Sequence, residues 1–112
     1  MQEFIALYVG EPNNDGPGDM DPAEIGRGME AWGRWMEDHA ASVVVTGGPA
    51  GRTKRVGKDG VTDIRNNVAG FIVVKAESHE AAAAMFENHP HFAIFPGTAV
   101  EVMPVLPVPT MD

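Results

Sequence analysis

Two histidines separated by one proline are the residues of this sequence best suited to proton chemistry. They are His89 and His91, in the segment Asn88-His89-Pro90-His91-Phe92 that follows an alanine-rich stretch. Histidine is the side chain whose ordinary pKa, about 6.5, lies closest to physiological pH. A pair of imidazoles that faces a cleft could therefore give and take protons at neutral pH with little tuning.

Each histidine also has a structural interpretation, and the sequence leaves both interpretations open. His89 could cap the end of the preceding helix, where a cation or an N–H donor meets free carbonyl groups. His91 could be an exposed loop residue. A catalytic zinc ion needs three protein ligands and an open position. Because no recognised metal-binding spacing accompanies the pair, no metal site and no cofactor are predicted.

Other side chains could assist the histidines or bind a substrate. Asp63 could orient a histidine or an arginine, while Arg52 and Arg65 bracket a predicted hairpin and could clamp a carboxylate with paired hydrogen bonds. Surface ion pairing, worth at most about 1 kcal/mol, is the alternative for these charges. The first predicted helix has an apolar stripe, formed by Ile25, Met29, Trp32, Met36 and Ala40, in which Trp32 is interpreted as core, although it could also line a ligand site. Trp35 flanks this stripe, so it and Phe71 are predicted to line a substrate cleft, although a subunit interface would bury Trp35 equally well.

Composition excludes several classes of protein. The 112 residues fit a single domain spanning 1–112, with 44% hydrophobic and 21% charged residues. A formal net charge of -8 disfavours a nucleic-acid or anionic-membrane partner, although five of the eight basic residues fall between positions 52 and 65. The absence of cysteine excludes disulfides and thiol nucleophiles. No signal peptide or membrane-spanning run is visible, so a cytoplasmic protein is expected.

The pattern of apolar residues predicts strands and helices in alternation. The first helix has a good start, because Asp21 can cap it and Pro22 suits its first position. A second helix is capped by Ser78 and must end before Pro90. The predicted order is a strand at 4–9, a polar connection at 13–20, a helix at 21–41, a strand at 42–46, a hairpin at 52–64, a strand at 68–76, the second helix, and a strand at 99–106.

This order predicts an α+β fold of the ferredoxin-like, split β-α-β type, with both helices on one face of an antiparallel sheet. The strands carry apolar residues at adjacent positions, as in Val43-Val44-Val45, which indicates burial on both faces of the sheet. In so short a chain a second subunit is the simplest cover for the other face. The sequence therefore predicts a homodimer.

Four segments carry a resemblance to a known family. They are the first strand Phe4 to Val9, the segment Val43 to Pro49 with its Gly48-Pro49 pair, the strand segment Gly70 to Val74, and the second helix with its His89-Pro90 exit. In these segments the chain resembles the YCII-related family, including the branch named for an Asp-Gly-Pro-Phe motif. The resemblance covers nearly the whole length. It implies a dimeric α/β barrel in which each subunit has a cleft, and an enzyme role is suspected for several members.

The sequence departs from this family at the positions that carry its chemistry. The founding branch places a histidine on the first helix and an aspartate before the proline that follows the second helix. Here the helix position falls near Ala31, and His89 stands in place of the aspartate. Residues 62–67 lack the Asp-Gly-Pro-Phe motif. The resemblance therefore implies the fold and the dimer more directly than a mechanism.

The combined interpretation is a small cofactor-independent enzyme that transfers protons on a small apolar or aromatic substrate, as an isomerase, lyase or dehalogenase would. His89 would be the acid or base, His91 or Asp63 would assist, and Arg52 or Arg65 would hold an anionic group. A non-catalytic ligand-binding or dimeric interaction module is one alternative. A cofactor-free oxygenase is another.

Overall fold

In the part of the chain that the structure describes, six strands form two antiparallel sheets. The computed structural model describes residues 1–11 and 20–109 of the chain. The strands are β1 (Gln2–Val9), β2 (Val43–Pro49), β3 (Thr53–Gly57), β4 (Gly60–Ile64), β5 (Val68–Ala76) and β6 (Ala99–Pro104). The main sheet has the order β2-β5-β1-β6, and β3 pairs only with β4. Most of the polar connection predicted at 13–20 lies outside the described residues.

Three helices connect these strands, and their starts follow the predicted capping signals. They are α1 (Pro22–Asp38), α2 (His79–Ala84) and α3 (Pro90–Ala93), with a short 3-10 turn at Ala40–Ser42. Asp21 accepts a hydrogen bond from the N–H of Glu24 at 2.8 Å, and Ser78 accepts one from the N–H of Ala81 at 3.0 Å. A side-chain oxygen at this position satisfies an N–H that has no partner within the helix. None of the helices in the described part of the chain is long and apolar enough to span a membrane.

The hydrophobic core lies between the helices and one face of the main sheet. Phe4, Ile72 and Val74 are completely buried there and pack with Trp35 and Phe86. The sheet order and the antiparallel pairing match the split β-α-β arrangement. The α+β, ferredoxin-like fold class predicted from the sequence is therefore confirmed.

The opposite side of the main sheet carries apolar side chains that are only partly buried. Residues directly opposite one another in an antiparallel ladder share a face. By this register the face contains six apolar residues, which we call the open sheet face: Ile5, Leu7, Val45, Phe71, Val73 and Met103. Phe71, Val45 and Met103 are 39%, 47% and 38% exposed. Each of the four strands thus contributes to an apolar surface without a helix on it.

The buried side of α1 differs from the predicted stripe. The sequence placed Met29 within the stripe, but Met29 is 63% exposed, whereas Gly28 and Trp35 are buried. The physical reason is Gly28, where a Cβ atom would lie 2.5 Å from the ring of Phe95. The buried side of the helix is therefore rotated by about one position from the predicted stripe. The pattern of hydrophobic residues could not show this, because glycine does not count as an apolar residue in it.

The predicted hairpin is present and projects from the domain. Its turn follows β3 at Lys58-Asp59, and Gly60 has a φ of 111°, a backbone conformation that favours glycine. Val56 and Val61 face each other across the ladder and are 77% and 62% exposed. The hairpin therefore adds little to the core, and its base forms one side of a cleft described below.

Candidate functional site

An apolar cleft of about 570 Å³ lies between α1, the end of β2, the start of β5 and the α3–β6 connection. Aromatic rings and exposed backbone form most of its wall, and the residues that matter below are Tyr8, Trp32, Phe71, His91, Phe95 and Gly97. No Asp, Glu, Lys or Arg among the described residues lines it. Such a cleft suits a small apolar or aromatic ligand, since pockets of this kind bind through apolar walls and a few polar groups.

The cleft opens where β2 and β5 pair irregularly. Their register shifts between Val43 and Val45 and again between Val45 and Gly48. Gly47 has a φ of 62°, and a Cβ atom there would collide with the carbonyl group of Phe71. Bulges of this kind re-aim side chains and are common next to active sites. The Gly47-Gly48 pair thus shapes one wall of the cleft.

His91 is the histidine of the cleft wall. Its side chain is 7% exposed, and its Nε2 lies 2.8 Å from the carbonyl oxygen of Val9. Because a carbonyl oxygen can only accept, Nε2 carries a proton, and Nδ1 is the nitrogen that can exchange one. The same carbonyl also accepts from the N–H and the hydroxyl group of Thr98, each at 2.9 Å.

Gly97 holds the His91 ring from the other side. A Cβ atom at position 97 would collide with Cε1 and Nε2 of the imidazole, and the N–H of Gly97 donates to the carbonyl oxygen of His91 at 3.0 Å. Only glycine fits so close to the ring. The carbonyl group of Val9 and the glycine together fix the orientation of His91.

His89 lies behind the cleft wall and does not line it. It is completely buried, and its Nδ1 accepts a hydrogen bond from the backbone N–H of His91 at 3.0 Å. His89 therefore caps the start of α3, with Pro90 at the first helical position. The alternative of a cap at the end of the preceding helix is therefore corrected, because the imidazole caps the start of α3 as an acceptor and not as a donor.

Four aromatic rings surround the imidazole of His89. Their centroids lie 4.6 to 5.8 Å away, and they belong to Trp32, Trp35, Tyr8 and Phe86. Burial, together with the smaller effects of the nearby His91 and His39, lowers the pKa of His89 to about 4. The ring is thus neutral at pH 7 and carries its proton on Nε2, which has no hydrogen-bond partner among the described residues. A neutral, enclosed imidazole is poorly placed to serve as the general acid or base predicted for it.

The two tryptophans lie in the opposite environments from those that the sequence suggested. Trp32, interpreted as core, lines the cleft. Trp35, predicted to line the cleft, is 8% exposed and lies in the core, where its Nε1–H donates to the carbonyl oxygen of Met85 at 2.8 Å. The seven-residue spacing from Gly28 to Trp35 spans two helical turns and is the signal that could have placed Trp35 inward. Phe71 is also part of the wall of this cleft.

Tyr8 is a residue of the cleft that the sequence analysis did not single out. It lies near the end of β1, and burial raises its pKa to about 12. Its phenol is therefore neutral at physiological pH and can donate a hydrogen bond to a ligand. The position of a tyrosine within an otherwise apolar strand was the available signal.

The remaining predicted site residues lie elsewhere, at the base of the hairpin. Arg52, Asp63 and Arg65 line a second cleft of about 810 Å³. Asp63 forms an ion pair with Lys54, with 2.7 Å between Oδ1 and Nζ, and both side chains are largely exposed. The structure therefore does not bring Asp63 to the histidines, because the hairpin carries it away from the sheet. In the described residues no three His, Asp or Glu side chains gather to hold a metal ion.

Comparison with known proteins identifies a similar solved structure. No family model matches the chain, and no curated protein matches it. The chain is similar to the 5-chloro-2-hydroxyhydroquinone dehydrochlorinase from Burkholderia phenoliruptrix AC1100, solved in complex with 2,5-dihydroxybenzoquinone. The two share 19% sequence identity over 90% of each chain, with a TM-score of 0.55. At this level of identity the likeness shows the fold alone, and the resemblance to the YCII-related family stays a prediction.

Proposed function

We propose that this protein is a small enzyme that transfers protons on a small apolar or aromatic substrate in the 570 Å³ cleft. The single observation that carries the proposal is the position of His91 in an otherwise uncharged, aromatic wall. The role of acid or base moves from His89 to His91, and His89 becomes a positioning residue. Tyr8 would donate a hydrogen bond to an oxygen of the substrate, and Phe71 with Trp32 would hold its apolar body.

Removal of HCl from a chlorinated hydroxyhydroquinone illustrates why such chemistry needs no cofactor. One hydroxyl proton is transferred to the ring carbon that bears chlorine, a second hydroxyl proton is removed, and chloride leaves with the electron pair of the C–Cl bond. The ring becomes a hydroxyquinone: its oxygen-bearing carbons are oxidised by two electrons, and the carbon that exchanges chlorine for hydrogen is reduced by two, so the step needs no external oxidant or reductant. A histidine that both gives and takes protons would serve each step. We propose this dehalogenase type first, with isomerase and lyase chemistry as the wider class.

The experiment supplies 5-chloro-2-hydroxyhydroquinone to the purified protein and measures chloride release, with oxygen consumption recorded in parallel. We expect chloride release without oxygen uptake, and a loss of kcat/KM of at least about 100-fold in His91→Gln. His79→Gln is the matched control, because His79 lies on α2 and outside the cleft wall. Oxygen uptake that depends on substrate would favour the oxygenase instead. Binding of 2,5-dihydroxybenzoquinone without turnover of any phenolic substrate would favour a non-catalytic binding module.

We also propose that the chain works as a homodimer through the open sheet face. Four strands contribute partly exposed apolar residues to this face, and a second copy would cover the same residues by two-fold symmetry. Phe71 belongs both to the open sheet face and to the cleft wall. A second subunit would therefore close one side of each cleft and exclude water from it.

A further inference from the structure

The five residues that follow β6 form an apolar segment with a largely exposed surface. They are residues 105–109, with the sequence Val-Leu-Pro-Val-Pro, which we call the proline segment. Val105, Leu106 and Val108 are 46%, 70% and 86% exposed. Single exposed apolar residues are common, but contiguous ones mark interaction surfaces. The proline segment is therefore a candidate interaction surface.

The proline segment begins on the open sheet face. The N–H of Val105 donates to the carbonyl oxygen of Glu3 at 2.9 Å, which continues the ladder between β1 and β6 by one residue pair. Alternate residues of a strand point to the same side of the sheet, so Val105 lies on the side of Met103, and Glu3 lies on the side of Ile5. The apolar surface of the open sheet face thus continues into the proline segment.

Three prolines keep this segment extended. Pro104, Pro107 and Pro109 have a fixed φ, and each disfavours helical geometry in the residue before it, which includes Leu106 and Val108. Proline also lacks an N–H, so the segment cannot continue as a regular ladder beside β1. A segment that is already extended loses little conformational entropy when it binds. Its apolar side chains are therefore well suited to burial on a partner.

The size of a stable interface indicates what covers the proline segment. A standard interface involves about 20 to 30 residues on each side. The open sheet face supplies six apolar residues, which are too few for the proposed homodimer by themselves. Neighbouring surface must contribute, and the proline segment adjoins the open sheet face and is apolar. A second copy of the chain is therefore the partner that fits it.

The charges around the proline segment permit a second copy to approach. Residues 102–109 carry no charged side chain. At the same end of the sheet, Glu3 and Lys75 lie opposite each other in the ladder between β1 and β5, and their charges are opposite. This region therefore does not add to the repulsion between two chains that each have a formal net charge of -8.

We propose that the proline segment of each subunit packs against the open sheet face of its partner in the homodimer. This inference rests on the proposed homodimer and assigns a second contact surface to it. Two-fold symmetry would bury Leu106 and Val108 of both subunits, so each side chain contributes twice to the interface.

Sedimentation equilibrium of the full chain measures how much the proline segment contributes to the dimer. We expect the double variant Leu106→Lys/Val108→Lys to raise the dissociation constant of the dimer at least about 100-fold. Val56→Lys/Val61→Lys is the matched control, because it adds the same charge at exposed positions of the hairpin and should not weaken the dimer. Since all four side chains are exposed in the single chain, circular dichroism should show the same fold in both variants.

Single cysteines test the burial of the proline segment directly, because the chain has no cysteine of its own. The thiol of Val108→Cys should react with a maleimide about 10-fold more slowly when the protein concentration exceeds the dissociation constant of the dimer. The thiol of Val61→Cys is the control and should react equally fast above and below this concentration.

The outcomes separate this inference from the proposed function. A wild type with the mass of one chain at every concentration would overturn both the homodimer and this inference, whereas turnover in the apolar cleft is decided by its own assay. If the wild type is a dimer and the two double variants have equal dissociation constants, this inference alone is overturned. A thiol of Val108→Cys that reacts equally fast in the dimer would also overturn it, because the segment would then be free to meet a different partner.

Discussion

The backbone N–H of His91 donates a hydrogen bond to Nδ1 of His89 at 3.0 Å, so the fully buried histidine holds the one in the cleft wall. The resemblance noted above would place an aspartate at position 89. A carboxylate there could accept the same N–H, since Asp is a preferred residue at the start of a helix. The neutral imidazole makes the same hydrogen bond without placing a charge among the four aromatic rings that surround it. In the proposed mechanism, His89 would position His91 and His91 would transfer the proton.

The first prediction concerns the protonation state of His89. Its pKa is lowered to about 4 by burial, so its ring should stay neutral from pH 8 to pH 5 and carry the proton on Nε2. Long-range proton–nitrogen NMR spectra distinguish the two neutral forms of an imidazole and follow their titration. If His89 titrates near about 6.5, its imidazole is not enclosed by the four aromatic rings of Tyr8, Trp32, Trp35 and Phe86.

The second prediction concerns stability in acid. Because the pKa of His89 is lower in the folded chain than in the unfolded chain, the folded state binds fewer protons between these two values. The stabilisation is present above about pH 6.5 and is lost as the pH falls toward about 4. We expect the free energy of unfolding in urea to decrease by up to about 3 kcal/mol over this range.

The variant His89→Asn tests whether this single residue is responsible. An asparagine can still accept the N–H of His91 but does not titrate, so the decrease in acid should be much smaller than in the wild type. His79→Asn is the control, because His79 is exposed on α2 and should leave the decrease unchanged. Equal pH dependence in all three proteins would assign the effect to other groups. His89→Ala should be less stable than His89→Asn at pH 7.5 by about 1 kcal/mol, since it removes the cap as well.

More of the fold than of the site could be predicted from the sequence, and particular residues show why. Apolar runs such as Phe71 to Val74 and the caps at Asp21 and Ser78 are local signals, so the strands and the helix starts followed from the sequence. The site depends on contacts between distant segments. His91 meets Val9 across 82 positions, and Gly28 is buried only because Phe95 lies against it. Neither contact has a periodic pattern, so the roles of the two histidines and of the two tryptophans could not be separated.

The third prediction concerns Gly97. Alanine at this position would place a Cβ atom against the His91 ring and displace it from the carbonyl group of Val9. We expect Gly97→Ala to lower turnover as strongly as His91→Gln does, while the apolar cleft still binds 2,5-dihydroxybenzoquinone. The measurement is kcat on the substrate that the wild type converts, together with a calorimetric titration of the quinone.

Gly26→Ala is the matched control for Gly97→Ala. Gly26 lies on α1 outside the apolar cleft, and a Cβ atom there would meet no other atom within 4 Å. Because alanine is a better helix former than glycine, this variant should keep its activity and gain about 1 kcal/mol in the free energy of unfolding. Equal activity of the two alanine variants would show that the orientation of His91 does not matter for turnover.

The fourth prediction separates the two tryptophans. Trp35→Phe removes the hydrogen bond from Nε1 to the carbonyl oxygen of Met85 and should lower the free energy of unfolding by about 1 to 3 kcal/mol. Trp32→Phe changes the cleft wall and should instead weaken the binding of an aromatic ligand. Urea unfolding and calorimetric titration of both variants give the comparison. An equal loss of ligand affinity in both would contradict the assignment of Trp35 to the core.

The fifth prediction concerns the proposed dimer. Val73 is half-buried on the open sheet face and lies opposite both Ile5 and Val45. A lysine at position 73 would place a charge among the apolar residues of the proposed interface, where it would have to lose part of its hydration. Light scattering should therefore give the mass of two chains for the wild type and of one chain for Val73→Lys.

Val56→Lys is the control, because Val56 lies on the projecting hairpin and is already 77% exposed. If Val73→Lys stays folded by circular dichroism and keeps the mass of two chains, the open sheet face is not the interface. Loss of the dimer should also weaken ligand binding, because Phe71 belongs to the cleft wall as well as to the open sheet face.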